Sequence, residues 1–310
     1  MAIPRFDEFL TDTLKVLSDG NEWRSRDAMT ETVRRKNLTA EEMSEILPSG
    51  QTRAENRAFW AQTYLFQAGA ITRPARGVVV ITELGRQLLT ESPDGLTLAR
   101  LRETDGMKDW DERTRAAKAQ RGGSPSPLTD DSFSESGVTP EEQIAAGVQQ
   151  LQSATASELL RRLQGESSEF MERAVLRVLQ AMGYGNGEDD VQHLGGMGDG
   201  GVDGVINQDK LGLDQIYVQA KRYADDNVVG PGAIRDFNTA VQTKKASKGV
   251  FITTSRFSRD AREVLRDLPY TRIILIDGHE LASLMLEHRV GVTVDRSYKV
   301  FSVDENFFEG

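Results

Sequence analysis

Asp203, Gln219 and Lys221 are the side chains of this 310-residue chain whose types and spacing suit one chemistry. They lie in Asp199-Gly-Gly-Val-Asp-Gly-Val-Ile206 and Gln215-Ile-Tyr-Val-Gln-Ala-Lys221. Val202 to Ile206 reads as a short strand and Asn207 to Gly212 as a turn. Asp214 to Lys221 reads as a second strand with apolar Ile216, Val218 and Ala220 on one face. Alternation puts Gln219 and Lys221 on the other face, roughly 6 to 7 Å apart. If the strands fold about the middle of the turn, Asp203 falls nearly opposite Gln219. A carboxylate, an amide oxygen and an ammonium then converge, the groups that metal-assisted phosphodiester hydrolysis needs. Mg2+ takes one or two protein oxygens and keeps several waters, and a nearby lysine orients a water and offsets charge on the phosphorane.

Taken singly, each residue has a plainer explanation. An Asp between glycines is ordinarily a turn residue, and a Lys at a strand end is ordinarily solvated. Their joint spacing is what points to a site.

The same residues resemble the Asp…(Asp/Glu)-x-Lys signature of the PD-(D/E)xK nucleases, with Gln219 where most of that superfamily carries an acid. Gln219-x-Lys221 after Gly198-Asp-Gly-Gly-Val-Asp-Gly204, inside Val218-Gln-Ala-Lys-Arg-Tyr223, is similar to the variant of the Mrr family of restriction endonucleases. The resemblance extends to Phe170-Met-Glu-Arg-Ala-Val175, Ala181-Met-Gly-Tyr184, Val250-Phe-Ile-Thr-Thr-Ser255 and Leu275-Ile-Asp-Gly278. It implies that Glu172, on the first core helix, joins Asp203 and Gln219 at a metal site for Mg2+, with Mn2+ as a substitute, and that Lys221 acts on the attacking water. It also implies a type IV restriction activity on double-stranded DNA carrying methylated adenine or cytosine. Cutting both strands needs two active sites, so a homodimer or homotetramer is expected.

The elements that must position these residues follow from the patterning. Phe6, Phe9, Leu10, Leu14 and Leu17 recur at helical spacing until Ser18-Asp-Gly20 stops them. Ser25 is placed to cap a second helix, and Thr39-Ala-Glu-Glu42 is a capping-box pattern opening a short third. Arg53 to Gln67 reads as a longer helix, and Ile71 to Thr82 as a hairpin turning at Ala75-Arg-Gly77. Helices followed by a basic-tipped hairpin outline a winged helix, with Arg73 and Arg76 on the wing facing DNA phosphates and Arg53 and Arg57, one turn apart on the recognition helix, either facing DNA or pairing with acids on the helix surface. Leu17-Ser-Asp-Gly20, Leu47-Pro-Ser-Gly50, Asn56 to Leu65 and Ile81-Thr-Glu-Leu-Gly85 resemble the N-terminal domain that accompanies the Mrr catalytic domain.

The expected organisation is a winged-helix domain over residues 1–95, a charged and Gly/Ser/Pro-rich linker over 96–138, and a catalytic domain over 139–310. Leu98 to Arg121 reads as solvent-exposed helix, and Gly122 to Gly137 as a flexible tether. Thr139-Pro-Glu-Glu142 restarts order with a strong N-cap, followed by helices to Gln152 and from Ala156 to Gln164. Beyond Lys221, helix, strand, helix, strand, helix implies parallel crossovers. The C-terminal sheet is therefore mixed, the α/β core of the restriction-endonuclease fold. Lys244, Lys245 and Lys248, before one of these strands, are placed either to meet phosphates or to lie in a solvated loop. His193 reads as a strand residue.

Composition narrows the function classes. There is no cysteine, which excludes disulfides, zinc ribbons and thiol catalysis. The N-terminus has no basic segment followed by an apolar run, and no stretch approaches the ~20 apolar residues of a membrane span; a soluble, cytoplasmic protein with no membrane partner is expected. The net charge of −10 and pI near 5.0 argue against a nucleic-acid partner at face value. Phosphate contact depends on local patches, however, and acidic residues cluster in Thr129 to Glu135 and Glu141-Glu142. The glycine-rich run from Gly183 to Gly204 contains no phosphate-binding loop pattern, so a nucleotide site is excluded. Two rival functions remain: a repair or junction nuclease indifferent to modification, and a non-catalytic DNA-binding protein, the latter favoured by Gln219.

Overall fold

The computed structural model describes residues 3–120, 137–185, 187, 190–194, 201–224, 226–268, 270–301 and 307. The chain divides into two compact units, Met1–Val148 with Phe301–Gly310, and Gln149–Val300.

In the first unit a 3-10 turn (Phe6–Glu8) leads into α1 (Phe9–Leu17), then β1 (Trp23–Arg24), α2 (Ser25–Arg35), α3 (Ala40–Met43), α4 (Arg53–Gln67), β2 (Ile71–Thr72), β3 (Val78–Ile81) and α5 (Glu83–Glu91). The apolar stripe of α1 buries Phe9, Leu10, Leu14 and Leu17 against Ala58, Ala61 and Leu65 of α4. β3 lies between β1 and β2 and is antiparallel to both. Helices closed by this small sheet and its hairpin make a winged helix. Thr39 and Thr52 each form a capping box, with Glu42 and Glu55. Ser25 does not cap α2. Its N–H donates to the Gly77 carbonyl at 2.6 Å and its hydroxyl to Gln62 Oε1 at 2.7 Å, which ties α2 to the hairpin and to α4.

The core of this unit continues past residue 95. Leu96, Leu98, Leu101 and Met107 are buried in it, and Trp110 meets Tyr64 edge-on at 5.3 Å. Accordingly α6 (Leu98–Arg102) and the start of α7 (Asp105–Gln120) pack inward rather than standing in solvent. Their few apolar residues share one side while the abundant charges face water, so composition alone misleads here. The Gly/Ser/Pro-rich stretch expected to be a tether lies, over residues 121–136, outside the described residues.

α8 (Pro140–Gly165) is one helix where two were expected. No Gly or Pro lies between residues 148 and 164, and the Thr155 and Ser157 hydroxyls bond back to the carbonyls of Leu151 and Ser153. The second unit continues with α9 (Ser168–Ala181), β4 (Val191–His193), β5 (Gly204–Asn207), β6 (Gln215–Lys221), α10 (Pro231–Thr243), β7 (Lys248–Thr253), α11 (Arg259–Val264), β8 (Arg272–Ile276) and α12 (Gly278–Glu287).

These strands form a sheet in the order β4-β5-β6-β7-β8, antiparallel through β6 and parallel from β6 to β8. It is the mixed sheet of the restriction-endonuclease fold. Ile216, Val218 and Ala220 bury one face against Met171, Val175 and Leu179 of α9, while Tyr217, Phe251 and Leu275 bury the other against Ile234 and Phe237 of α10. Burial on both faces is why β6 and β7 read as nearly unbroken apolar runs.

Candidate active site

The hairpin of β5 and β6 sets the site. The ladder ends at Gly204 paired with Val218, and Asp203, the residue before it, bonds the residues on either side of Gln219. The Asp203 N–H donates to the Val218 carbonyl at 2.8 Å, and its own carbonyl accepts from the Leu194 N–H at 2.9 Å. Its carboxylate Oδ2 accepts from the Ala220 N–H at 2.7 Å. The turn is held by Asp209, whose carboxylate accepts from the N–H groups of Leu211 and Asp214; these backbone hydrogen bonds hold its carboxyl below the usual carboxylate range.

Two of the glycines have specific duties. Gly201 sits at φ +84°, and a Cβ there would come within 2.9 Å of the Gln219 amide nitrogen. At Gly204 a Cβ would come within 2.8 Å of the Leu176 side chain, so this glycine lets α9 approach β5. The Gly-Val-Asp-Gly stretch is thus shaped by Gln219 on one side and the helix carrying Glu172 on the other.

Glu172 and Lys221 both reach this point electrostatically. Burial pushes the Asp203 carboxyl above the usual range; the Ala220 N–H opposes this, the Glu172 charge adds to it, and Lys221 and His193 oppose it, with the upward effects prevailing. Gln219 is only 5% exposed. Among the described residues no three His, Asp or Glu side chains gather into a metal cage. The donor set still fits a hard cation: two carboxylates that act on one another's charge, with the Gln219 carboxamide next to the Asp203 backbone contacts, suit an ion that takes few protein oxygens and keeps its waters.

Three residues around the site escaped sequence reasoning. His193 Nε2 lies 2.7 Å from Glu172 Oε2. Thr253 Oγ1 donates to the Lys221 carbonyl at 2.9 Å, and Thr254 Oγ1 accepts from the Tyr223 N–H at 2.8 Å, clamping the end of β6 to the end of β7. The run Val250 to Ser255 carried a signal for the two threonines through its likeness to the Mrr domain, while lone His193 carried none. Lys248 is corrected: it lies at the opposite end of β7, bonded to Asp214 and to Gln208 Oε1 at 2.8 Å.

In the first unit the predicted DNA-facing arginines separate into two pairs. Arg73 and Arg76 are exposed at the hairpin, Arg73 lying over the Phe66 ring at 4.5 Å. Arg53 and Arg57 are turned inward instead. Arg53 bridges Glu45 and Glu142, both at 2.8 Å. Arg57, its side chain 11% exposed, bonds Glu142 at 2.9 Å and the carbonyls of Ile3 and Pro4. A guanidinium so surrounded has no free donor edge for a phosphate, which corrects the expectation for Arg57.

Comparison with known proteins supports one class. Residues 163–285 match the family described as a restriction endonuclease, and residues 6–91 match the Mrr N-terminal domain. The chain is 34% identical over 312 residues to the type IV methyl-directed restriction enzyme EcoKMrr of Escherichia coli (strain K12), covering 100% of both proteins. Among solved structures, the MspJI restriction endonuclease in complex with a 27-mer oligonucleotide aligns at 26% identity and a TM-score of 0.33, over 43% of this chain and 31% of that one. The DNA modification-dependent restriction endonuclease AspBHI aligns at 19% identity and a TM-score of 0.36, over 45% and 36%. The chain carries a restriction-endonuclease catalytic domain behind an Mrr-type N-terminal domain, and it belongs to the Mrr family of restriction endonucleases. Among the described residues no helix is long and apolar enough to cross a membrane.

Proposed function

We propose that this enzyme hydrolyses phosphodiester bonds of double-stranded, methylated DNA with Mg2+, for which Mn2+ substitutes. The observation that carries the hydrolytic reading is Asp203 bonded to Val218 and Ala220 on either side of Gln219, with Glu172 and Lys221 acting on its charge. Asp203 and Glu172 are the carboxylate ligands in this reading, and Gln219 offers its amide oxygen. A bound divalent ion supplies Lewis acidity at the phosphoryl oxygen and a water of lowered pKa. Lys221 orients the attacking water and stabilises negative charge as it develops on the phosphorane oxygens. With Gln219 in place of an acid the site is one negative charge poorer, which favours a single, weakly held ion.

Methyl dependence is supported by the full-length likeness to the methyl-directed E. coli enzyme. The winged helix grips DNA through Arg73 and Arg76, and the enzyme acts as a homodimer or homotetramer that brings one site to each strand. The domains are a winged helix whose core runs on past residue 95 into α7, a connecting segment and a catalytic domain. Mg2+-dependent cleavage of plasmids from methylating and non-methylating hosts tests the proposal, with Asp203→Ala as control. Cutting confined to methylated plasmid and lost in the control is expected; cutting of both plasmids alike identifies a nuclease indifferent to modification.

A further inference from the structure

We propose that His193 is a positioning residue of the metal site, holding Glu172 turned toward Asp203; this rests on the metal-dependent reading above. The end of β4 and the residue after it touch both carboxylate-bearing residues, Glu172 at its side chain and Asp203 at its backbone. The Leu194 N–H donates to the Asp203 carbonyl at 2.9 Å, and the His193 imidazole meets Glu172 Oε2 at 2.7 Å. His193 pairs in register with Gly204, the residue after Asp203, so its ring stands beside the catalytic strand end. Both side chains of the pair are largely enclosed, 29% exposed for His193 and 15% for Glu172.

The pair answers a physical difficulty. Glu172 comes from a helix and Asp203 from a strand end, and the two carboxylates repel. An unrestrained glutamate with three rotatable bonds would swing toward water, away from its neighbour. A ring nitrogen bonded to one Glu172 oxygen restrains it and leaves the other oxygen for an ion. Outer partners that orient ligating carboxylates are a general requirement of metal sites. The requirement is sharper here because Gln219 brings no charge, so the ion depends more heavily on the two carboxylates.

The test uses full-length, DNA-free protein. Mn2+ binding is measured by EPR counting of free ion and Mg2+ binding by competition, together with thermal unfolding without metal. His193→Ala should weaken binding of both ions about tenfold or more, and His193→Gln, whose amide N–H reaches where Nε2 does, should restore affinity to within about threefold of the parent. In the His193→Ala/Glu172→Gln double variant the two losses should not add. Normal ion binding by His193→Ala, with only the melting temperature lowered, would show a structural tether and overturn the proposal. Failure of His193→Gln to rescue, with Mn2+ binding lost far more than Mg2+ binding, would make the imidazole itself a ligand and overturn it too. Undiminished binding by Asp203→Ala would instead sink the metal-site reading on which it rests.

Discussion

Arg57 and Glu142 meet at 2.9 Å across 85 residues of chain, with the Glu142 side chain 2% exposed. Thr139 donates its N–H to the same carboxylate at 2.8 Å, and Arg53 adds a second guanidinium. The segment that opens α8 is thereby latched to α4 within the first unit. Replacing Glu142 by Gln leaves two arginines facing a neutral partner and should cost about 3 kcal/mol in urea unfolding at neutral pH. Burial raises the Glu142 carboxyl, but the Thr139 N–H and the two arginines outweigh it and the net direction is downward. A lowered folded-state value means that the contribution is complete above the ordinary glutamate value of 4.5 and is lost as pH falls below it. The gap between parent and Glu142→Gln should therefore close as unfolding is repeated at more acidic pH.

Asp203 is held in charged form at a cost to folding. Its raised carboxyl binds protons more readily in the folded than in the unfolded state, so at neutral pH its ionisation destabilises the protein. Asp203→Asn keeps an acceptor for the Ala220 N–H and removes the charge. In EDTA this variant should melt above the parent. Adding Mg2+ should raise the melting temperature of the parent and leave the variant unmoved, while DNA cleavage by the variant is lost.

In the proposed mechanism Lys221 serves the reaction rather than the fold. Replacing it by Met should lower the cleavage rate about a hundredfold or more, while DNA binding in gel-shift assays and metal binding stay close to the parent. Loss of DNA binding in this variant would count against its assigned part.

Gly204 is needed for space. Gly204→Ala should destabilise the catalytic unit by about 1 to 3 kcal/mol, because its Cβ would lie 2.8 Å from Leu176. A compensating Leu176→Ala change should recover part of that loss, which denaturation of the single and double variants would measure.

The hairpin arginines should behave as phosphate contacts. Arg73→Ala and Arg76→Ala should weaken binding to methylated and unmethylated duplexes alike and lower the salt dependence by about one unit of slope per arginine. Arg57→Ala should act chiefly on stability, removing one of the two guanidinium partners of buried Glu142.

Much of this architecture was legible from local rules. Alternation in Gln215–Lys221 and the length of the turn before it set the pairing of β5 with β6 up to Gly204 and Val218, because side-chain period and hairpin register leave little freedom over so short a span. The threonine caps of α3 and α8 were readable for the same reason, each being complete within four residues. Charge-rich α6 and α7 were misread because a helix needs only a narrow apolar stripe to dock.

The sequence by itself determined the hairpin, the glycine and acid pattern around it, and hence the family and its chemistry. Tertiary structure alone decided which distant side chains meet: His193 with Glu172 across 21 residues, Arg57 with Glu142 across 85, and Thr253 with the Lys221 backbone across 32. Short-range spacing is dictated by the geometry of a single strand, turn or helix. Long-range pairs depend on how packed elements are rotated against one another, and only burial of the whole core sets that.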